Sequence, residues 1–385
     1  MLRPFTINPD IRRAETPPGA LYGPEAWPEI ADRVLTRSWH VLGYEPEFPA
    51  EGRMRPHKLL PGSLDEPLLL IAREGNIKAY SNVCTHRGAI LVDEERASGL
   101  ALRCRYHGRR FSLDGRLLNA PEFQNALDFP RECDHLAPVP TGRLGPLRFG
   151  SLHPAMTFED LLAPVRDRLS SLGAHFGGPG GPWSGLRLDP SRSRDYDVPA
   201  SWMLYCDNYL EGLHIPFVHP GLLATLEFGG YGTQAWQWAS LQTGLASPNT
   251  AAFTPPPGHP DHGQRVAAWY LFLFPCTMLN FYPWGLSLNV IEPRGPSMTR
   301  VKFRSFVANE HLYATSSGAE LDTVEQEDEA VVGSVQRGVG ARLYRRGRYA
   351  PESERCVHSF HQGLAALLAE QTDSPHIAEI HRSPG

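Results

Sequence analysis

The stretch Cys84-Thr85-His86-Arg87-Gly88, answered by Cys104-Arg105-Tyr106-His107-Gly108 with seventeen residues between His86 and Cys104, decides how the rest of the chain is read. Each half is a short hook with one thiolate and one imidazole. Two such hooks at the tips of neighbouring hairpins can pinch an inorganic centre between them. Glycine follows His107 directly and His86 one residue later, which suits a backbone that turns tightly and brings amide donors near sulfur.

The pairing of sulfur with nitrogen inside each hook limits the choice of metal. A [2Fe-2S] centre in which two His replace two Cys on one iron takes this ligand set, with Cys84 and Cys104 on one iron and His86 and His107 on the other. Structural zinc also accepts two Cys and two His. Zinc fingers, however, pair like with like, C-x-x-C followed by H-x-x-x-H. On these residues the chain resembles the Rieske proteins. High-potential Rieske proteins add a disulfide from a Cys close behind each hook. Here the nearest further cysteine is Cys133, so the resemblance implies a lower-potential cluster of the kind that feeds an oxygenase.

A chain of 385 residues is too long for one small cluster domain and implies two domains at ~100–200 residues each. Its 41% hydrophobic content supports sizeable cores, and a net charge of −5 offers no basic patch for nucleic acid. No apolar run reaches the ~18 residues of a membrane span, and the start, Met1-Leu-Arg-Pro-Phe-Thr-Ile-Asn-Pro, has no hydrophobic signal region. The sequence therefore reads as soluble and cytoplasmic. Four cysteines, at 133, 206, 276 and 356, fall outside the hooks and read as reduced and mostly buried.

Residues 1–37 read as an extended lead and a helix packing on the catalytic domain, with Ala31, Val34 and Leu35 at helical spacing. Between Trp39 and about residue 150, short apolar runs such as Leu68–Ala72 and Ile77–Tyr80 alternate with Gly and Pro. This predicts a small antiparallel β-domain over 38–155, with Asp114-Gly115 as a hairpin turn. Residues 173–191, rich in glycine, read as a flexible surface segment; no Lys-Ser or Lys-Thr follows to make a phosphate loop.

The second informative stretch is Asp207-Asn208-Tyr209-Leu210-Glu211-Gly212-Leu213-His214, followed by Pro216 and His219. Helical up to His214, it places Asp207, Asn208, Glu211 and His214 on one polar face. On an unbroken helix His214 and His219 would point ~140° apart. Pro216 breaks or bends the helix after His214 and lets them converge. By itself the stretch fits a helix end with two ordinary histidines. Farther on, Val266–Phe274, Met278–Tyr282, Leu286–Glu292 and Arg300–Val307 predict an antiparallel meander bearing Trp269, Phe272, Phe274, Phe281, Tyr282 and Trp284. Residues 318–338 predict a helix whose acidic first half reads as dipole complementarity and solvent exposure. A closing helix carries Leu364, Leu367 and Leu368.

Taken together, the hooks and the His214/His219 stretch resemble the Rieske-type non-haem iron oxygenases over roughly residues 35–340. The resemblance implies an α+β terminal oxygenase: an N-terminal helix, an all-β Rieske domain, and a helix-grip (START-like) catalytic domain over 156–385 with a curved antiparallel sheet. It makes His214 and His219 ligands of a mononuclear Fe(II). The order Glu327-Asp328 followed by Val335-Gln336-Arg337-Gly338 matches the choline and glycine-betaine monooxygenases and selects Asp328 as third ligand, with Glu327 and Asp322 as alternatives. Glu211 takes the place of the carboxylate that links the two metal centres, accepting hydrogen bonds from His214 and from His107 of a neighbouring subunit in a homotrimer, with Asn208 in support. Many aromatic-ring dioxygenases have Asp there; the choline and carnitine enzymes have Glu. Gly212 and Leu213 stand where the resemblance to the betaine and choline enzymes implies Cys-Tyr.

Two His and one carboxylate leave iron positions open for dioxygen and substrate, and such a site needs a one-electron donor. The cluster is one, so the two motifs explain each other. With no flavin or nicotinamide fingerprint in the chain, electrons are expected from NAD(P)H through a separate flavin/iron-sulfur reductase, directly or through a ferredoxin. The expected reaction is hydroxylation or oxidative demethylation of a small quaternary-ammonium or carboxylated amine. The alternatives are an aromatic-ring hydroxylating dioxygenase or demethylase acting on an aromatic acid, and a Rieske electron carrier with a vestigial second site.

Overall fold

The computed structural model describes residues 5–45, 47–219, 232–315 and 321–370. The chain divides into two compact units, Trp39–Pro154 and the combination of residues 1–38 with 155–385. No helix among the described residues is long and apolar enough to cross a membrane.

The larger unit opens with a 3-10 turn, Gly19–Tyr22, followed by a short helix α1 (Trp27–Glu29) that runs into a π-helical turn, Ile30–Leu35. Ile30, Val34 and Leu35 are buried and Ala31 only half-buried, so the inward face is set one residue earlier than helical spacing predicts. The wider winding is the cause: Thr36 N–H donates back five residues to the Ala31 carbonyl at 3.1 Å.

The smaller unit is built from β1 (His40–Tyr44), β2 (Arg53–Leu59), β3 (Glu66–Arg73), β4 (Asn76–Ser81), β5 (Arg96–Ala97), β6 (Leu102–Arg103), β7 (Arg110–Phe111), β8 (Leu117–Asn119), β9 (Pro138–Val139), β10 (Thr141–Leu144) and β11 (Leu147–Gly150). They form a five-stranded sheet in the order β5-β2-β3-β4-β9 and two three-stranded sheets, β1-β11-β10 and β6-β7-β8. Every pairing is antiparallel. Asp114-Gly115 makes the β7–β8 turn, with Gly115 at φ 80°; a Cβ there would lie 3.0 Å from the Tyr80 ring. Cys84 and Cys104 belong to the core of this unit, packed with Leu69, Ile71, Phe111 and Leu136.

Back in the larger unit follow α2 (Phe158–Leu162), α3 (Arg166–His175), β12 (Arg187–Val198), α4 (Trp202–Tyr209), α5 (Ile215–Val218), β13 (Gly232–Ala235), β14 (Ala239–Leu245), β15 (Val266–Leu273), β16 (Thr277–Tyr282), β17 (Gly285–Pro293), β18 (Thr299–Val307), α6 (Leu321–Val339) and α7 (Arg355–Ala369). The four-stranded meander foreseen over 266–308 is β15 to β18, extended to seven antiparallel strands in the order β12-β18-β17-β16-β15-β14-β13. All six aromatics named on it are buried. Strand β12 is an edge: its side chains alternate irregularly, it holds Pro190, and its register shifts between Asp189 and Arg194. Helix α7 buries Leu364, Leu367 and Leu368, and Arg33 of the N-terminal turn donates to the Leu368 carbonyl at 2.7 Å.

Two expectations are corrected. The glycine-rich segment is not a flexible surface strip at its start: residues 173–175 finish α3, and Phe176 is 1% exposed. Gly173 is glycine because a Cβ would lie 2.7 Å from the Trp183 indole nitrogen. The helix expected to run up to His214 stops at Tyr209, capped by Leu210. Its continuation is prevented by Glu211, whose carboxylate takes the backbone N–H groups of Leu213 and His214. Pro216 then sits in the first turn of α5, where a missing N–H is harmless, and so starts a helix rather than breaking one.

Candidate functional site

The two hooks share one backbone frame. Cys84 N–H donates to the Ala89 carbonyl at 2.8 Å, and Gly88 N–H returns to the Cys84 carbonyl at 3.0 Å. In the second hook Cys104 N–H donates to Arg109 at 2.8 Å and Gly108 N–H returns to Cys104 at 3.2 Å. Both glycines adopt φ near 70°, the left-handed turn that reverses each loop. A bridge between Val83 and Ile90 closes the first hook, and the β6–β7 pair closes the second. Consequently the thiols point inward, each 2% exposed, while the rings of His86 and His107 meet at 4.6 Å.

The donor set fits a Rieske cluster. His86 Nδ1 is buried without a hydrogen-bond partner, a position that costs free energy unless a ligand takes the lone pair. Burial raises the Cys104 thiol, but N–H groups of Tyr106 and His107 aimed at its sulfur pull it below the usual thiol range. At Cys84 burial prevails over the His86 N–H and pushes the thiol up.

In the other unit, His214, His219 and Asp328 offer ligand atoms that all lie within 4.8 Å of one another. Asp328 Oδ1 is 2.9 Å from His219 Nε2 and 3.6 Å from His214 Nε2. Two N or O donors bound at right angles to one ion at about 2.1 Å stand about 3 Å apart, so the arrangement fits a metal. Both remaining ring nitrogens face carboxylates: His214 Nδ1 is 2.6 Å from Glu211 Oε1, and His219 Nδ1 is 2.7 Å from Glu327 Oε2. Carboxylates so placed fix the tautomer that leaves Nε2 free for a metal. His219 is 1% exposed; burial lowers its pKa, but Asp328 and Glu327 more than reverse this and raise it to about 8.

Several residues differ from their expected roles. Asn208 supports Asp328 rather than Glu211, its Nδ2 donating to Oδ1 at 2.7 Å. Glu327, an alternative third ligand, instead holds His219. The Asp322 side chain, the other alternative, lies outside the described residues. The acidic half of α6 is not simply solvated: Glu325 is 4% exposed and accepts from Tyr205 Oη at 2.6 Å. Burial pushes Glu325 up to about 8. Spacing carried a signal here, because Tyr205 and Asn208 are three apart on α4 as Glu325 and Asp328 are on α6, matching rungs between two packed helices.

A row of polar side chains missed in the sequence crosses the sheet beneath α4. Gln242, Tyr270, Asn280, Ser287 and Ser305 are directly opposite one another on successive strands from β14 to β18. Tyr209, near the end of α4, touches this row twice: its hydroxyl donates to Asn280 at 2.8 Å and its carbonyl accepts from Gln242 at 2.7 Å. One residue away runs the apolar row Leu241, Leu271, Leu279 and Leu288. A separate buried pair lies near β15, where Asp261 accepts from Arg168 at 3.0 and 3.1 Å and from the Trp269 indole at 3.0 Å.

Comparison with known proteins gives two family matches, a Rieske [2Fe-2S] domain over residues 38–138 and a ring hydroxylating alpha subunit catalytic domain over residues 186–370. The choline monooxygenase of Amaranthus tricolor is 29% identical over 374 residues, covering 92% of this chain and 78% of its own. The carnitine monooxygenase oxygenase subunit of Escherichia coli (strain K12) is 28% identical over 382 residues, covering 95% and 96%. Among solved structures, the quaternary ammonium Rieske monooxygenase CntA in complex with L-carnitine superposes with a TM-score of 0.66 at 22% identity, covering 94% of this chain and 96% of that one. Naphthalene 1,2-dioxygenase from Rhodococcus sp. gives 0.69 at 20%, covering 93% and 95%. At these identities the structural matches speak for the fold.

Proposed function

We propose that the chain, which matches a Rieske [2Fe-2S] domain and a ring hydroxylating alpha subunit catalytic domain, is a Rieske oxygenase and acts as a terminal monooxygenase for a quaternary-ammonium substrate. Convergence of His214 Nε2, His219 Nε2 and Asp328 Oδ1 carries the reading. Cys84, Cys104, His86 and His107 would hold the cluster, and the triad would hold Fe(II). When bound, these groups supply one-electron transfer and activation of dioxygen.

The chain's own residues do the positioning. Glu211 and Glu327 hold the two imidazoles from behind, and Asn208 steadies the carboxylate between them. Among the described residues no Lys or Arg pairs with Glu211, Glu327 or Asp328. Three carboxylates against a dication leave a net negative site, which favours a cationic substrate over an aromatic acid. The relatedness to choline and carnitine monooxygenases points the same way.

A homotrimer, with the cluster of one subunit serving the iron of the next, accords with apolar side chains exposed within both motifs. Phe217, between the two histidine ligands, is 83% exposed, and Tyr106, inside the second hook, is 60% exposed. Glu211 would bridge His214 to His107 of the neighbouring copy. Electrons would come from NAD(P)H through a separate flavin/iron-sulfur reductase or a ferredoxin. Six cysteines free of disulfides accord with a reducing, cytoplasmic setting.

The test is dioxygen uptake with a surrogate reductase across choline, carnitine, betaines and aromatic acids, beside iron and sulfide analysis. Three irons and two sulfides per chain with uptake on a quaternary amine support the proposal. Uptake on aromatic acids alone overturns the substrate class, and two irons with two sulfides would mark an electron carrier.

A further inference from the structure

Five arginines lie in or beside the hooks, at 87, 103, 105, 109 and 110, and Arg109 alone among them is buried. It is 3% exposed, whereas the other four face solvent, where their fields are screened. Through its backbone carbonyl it accepts the Cys104 N–H at 2.8 Å, and through Nη1 it donates to Thr85 Oγ1 at 3.0 Å. Arg109 therefore ties the second hook to the first. Thr85 passes the link on, donating to the Asp134 carbonyl at 2.9 Å.

The guanidinium is enclosed on its faces. Its Cζ lies 4.5 Å from the centre of the Phe123 ring and 5.3 Å from that of Phe129. Phe123 in turn stands edge-on to His86 at 5.3 Å. Among the described residues the one carboxylate paired with it is Asp134, at 3.7 Å, a separation that leaves much of the charge uncompensated. Its Nε is buried and unpartnered. Beside burial and backbone N–H groups, the Arg109 charge also acts on both thiols, and it acts on the His86 ring.

From this we propose that Arg109 is a positioning and potential-setting residue of the Rieske cluster: a buried cation that stabilises the reduced state and so raises the midpoint potential. The inference rests on Cys84, His86, Cys104 and His107 being the cluster ligands. Reduction adds one electron and makes the cluster one charge more negative. No bond forms or breaks, and Arg109 keeps its proton throughout. A fixed positive charge held away from water offsets that added charge more effectively than one in solvent. Without it, electrons from the reductase would meet a centre that is harder to reduce.

The experiment is a mediated redox titration of the cluster-loaded full chain at one pH and ionic strength, followed by visible absorption and by electron paramagnetic resonance of the reduced state. Arg109→Gln keeps a donor for Thr85 but removes the charge. At the wild-type midpoint its reduced-to-oxidised ratio should fall at least tenfold, about 59 mV for one electron. Arg109→Lys should stay within about threefold of wild type, and Asp134→Asn should move the ratio upward because the opposing charge is gone. An Arg109→Gln protein with an intact cluster and an unchanged midpoint overturns the proposal. So does a shift of Asp134→Asn in the same direction as Arg109→Gln, the pattern of a merely loosened fold. If Arg109→Gln fails to load, the Lys and Asn variants decide, and an unmoved midpoint in Asp134→Asn overturns it. A wild-type chain without Rieske spectra overturns the ligand assignment beneath it.

Discussion

Replacing Glu325 by Gln should make the metal-free protein more stable at alkaline pH and leave it unchanged near pH 4.5. The buried Glu325 carboxyl is pushed up to about 8, first by burial and then by the charges of Asp328 and Glu329, against the opposing donation from Tyr205. A raised acid holds its proton in the folded state after the unfolded chain has released it. Folding stability therefore falls as pH rises from about 4.5 to about 8 and levels off above that. At ~1.4 kcal/mol per pH unit, the window caps the loss on the order of 5 kcal/mol. Gln cannot ionise, yet its amide oxygen still accepts from Tyr205. At ~2–4 °C per kcal/mol, its melting temperature at pH 8.5 should exceed that of the parent by on the order of 10 °C. Thermal unfolding followed by circular dichroism, on chelator-treated protein at pH 4.5 and pH 8.5, measures the difference. An equal gap at both pH values, or a lower melting point at pH 8.5, would refute the reasoning.

Three further outcomes are expected. Glu211→Gln should retain three irons per chain while oxygenation falls on the order of 100-fold, because the orientation of His214 is weakened; normal turnover would remove the role. His219 is held protonated up to about 8 in the metal-free site by Asp328 and Glu327. Anaerobic Fe(II) affinity should therefore rise roughly tenfold per pH unit from 6 to 8 and flatten above, and a flat profile would contradict it. Asp261→Asn strands the buried Arg168 without its counter-charge and should cost ~3–5 kcal/mol, read as a lower denaturation midpoint.

The parts legible in the sequence were those written in local pattern. Hook spacing identified the cluster fold, and alternating apolar runs located β15 to β18 to within about two residues. Strand β12 was missed because an edge strand with nine charged or hydroxyl side chains from Arg187 to Asp197 has no apolar face to announce it. The end of α4 was misplaced because Glu211 has good helix propensity. Its carboxylate is instead occupied by the backbone N–H groups of the next turn. Glu325 resembled any exposed acid in a helix, and only the packing of α4 on α6 reveals that it is enclosed. Glu327 and Asn208 were placed in the right neighbourhood but given the wrong neighbours, since sequence fixes which face a side chain shares and not which atom it meets.

The two hooks repeat one set of backbone bonds, yet His86 follows its cysteine by two residues and His107 by three. They are consequently not interchangeable parts. A chain with residues 84–88 copied over 104–108 would keep every turn while setting the second ring a step short, so tandem duplication alone could not have produced this pair. Any deletion between Cys104 and His107 would shorten the span closed by the Gly108-to-Cys104 backbone bond, so the loop and the phase of the ring would be lost together.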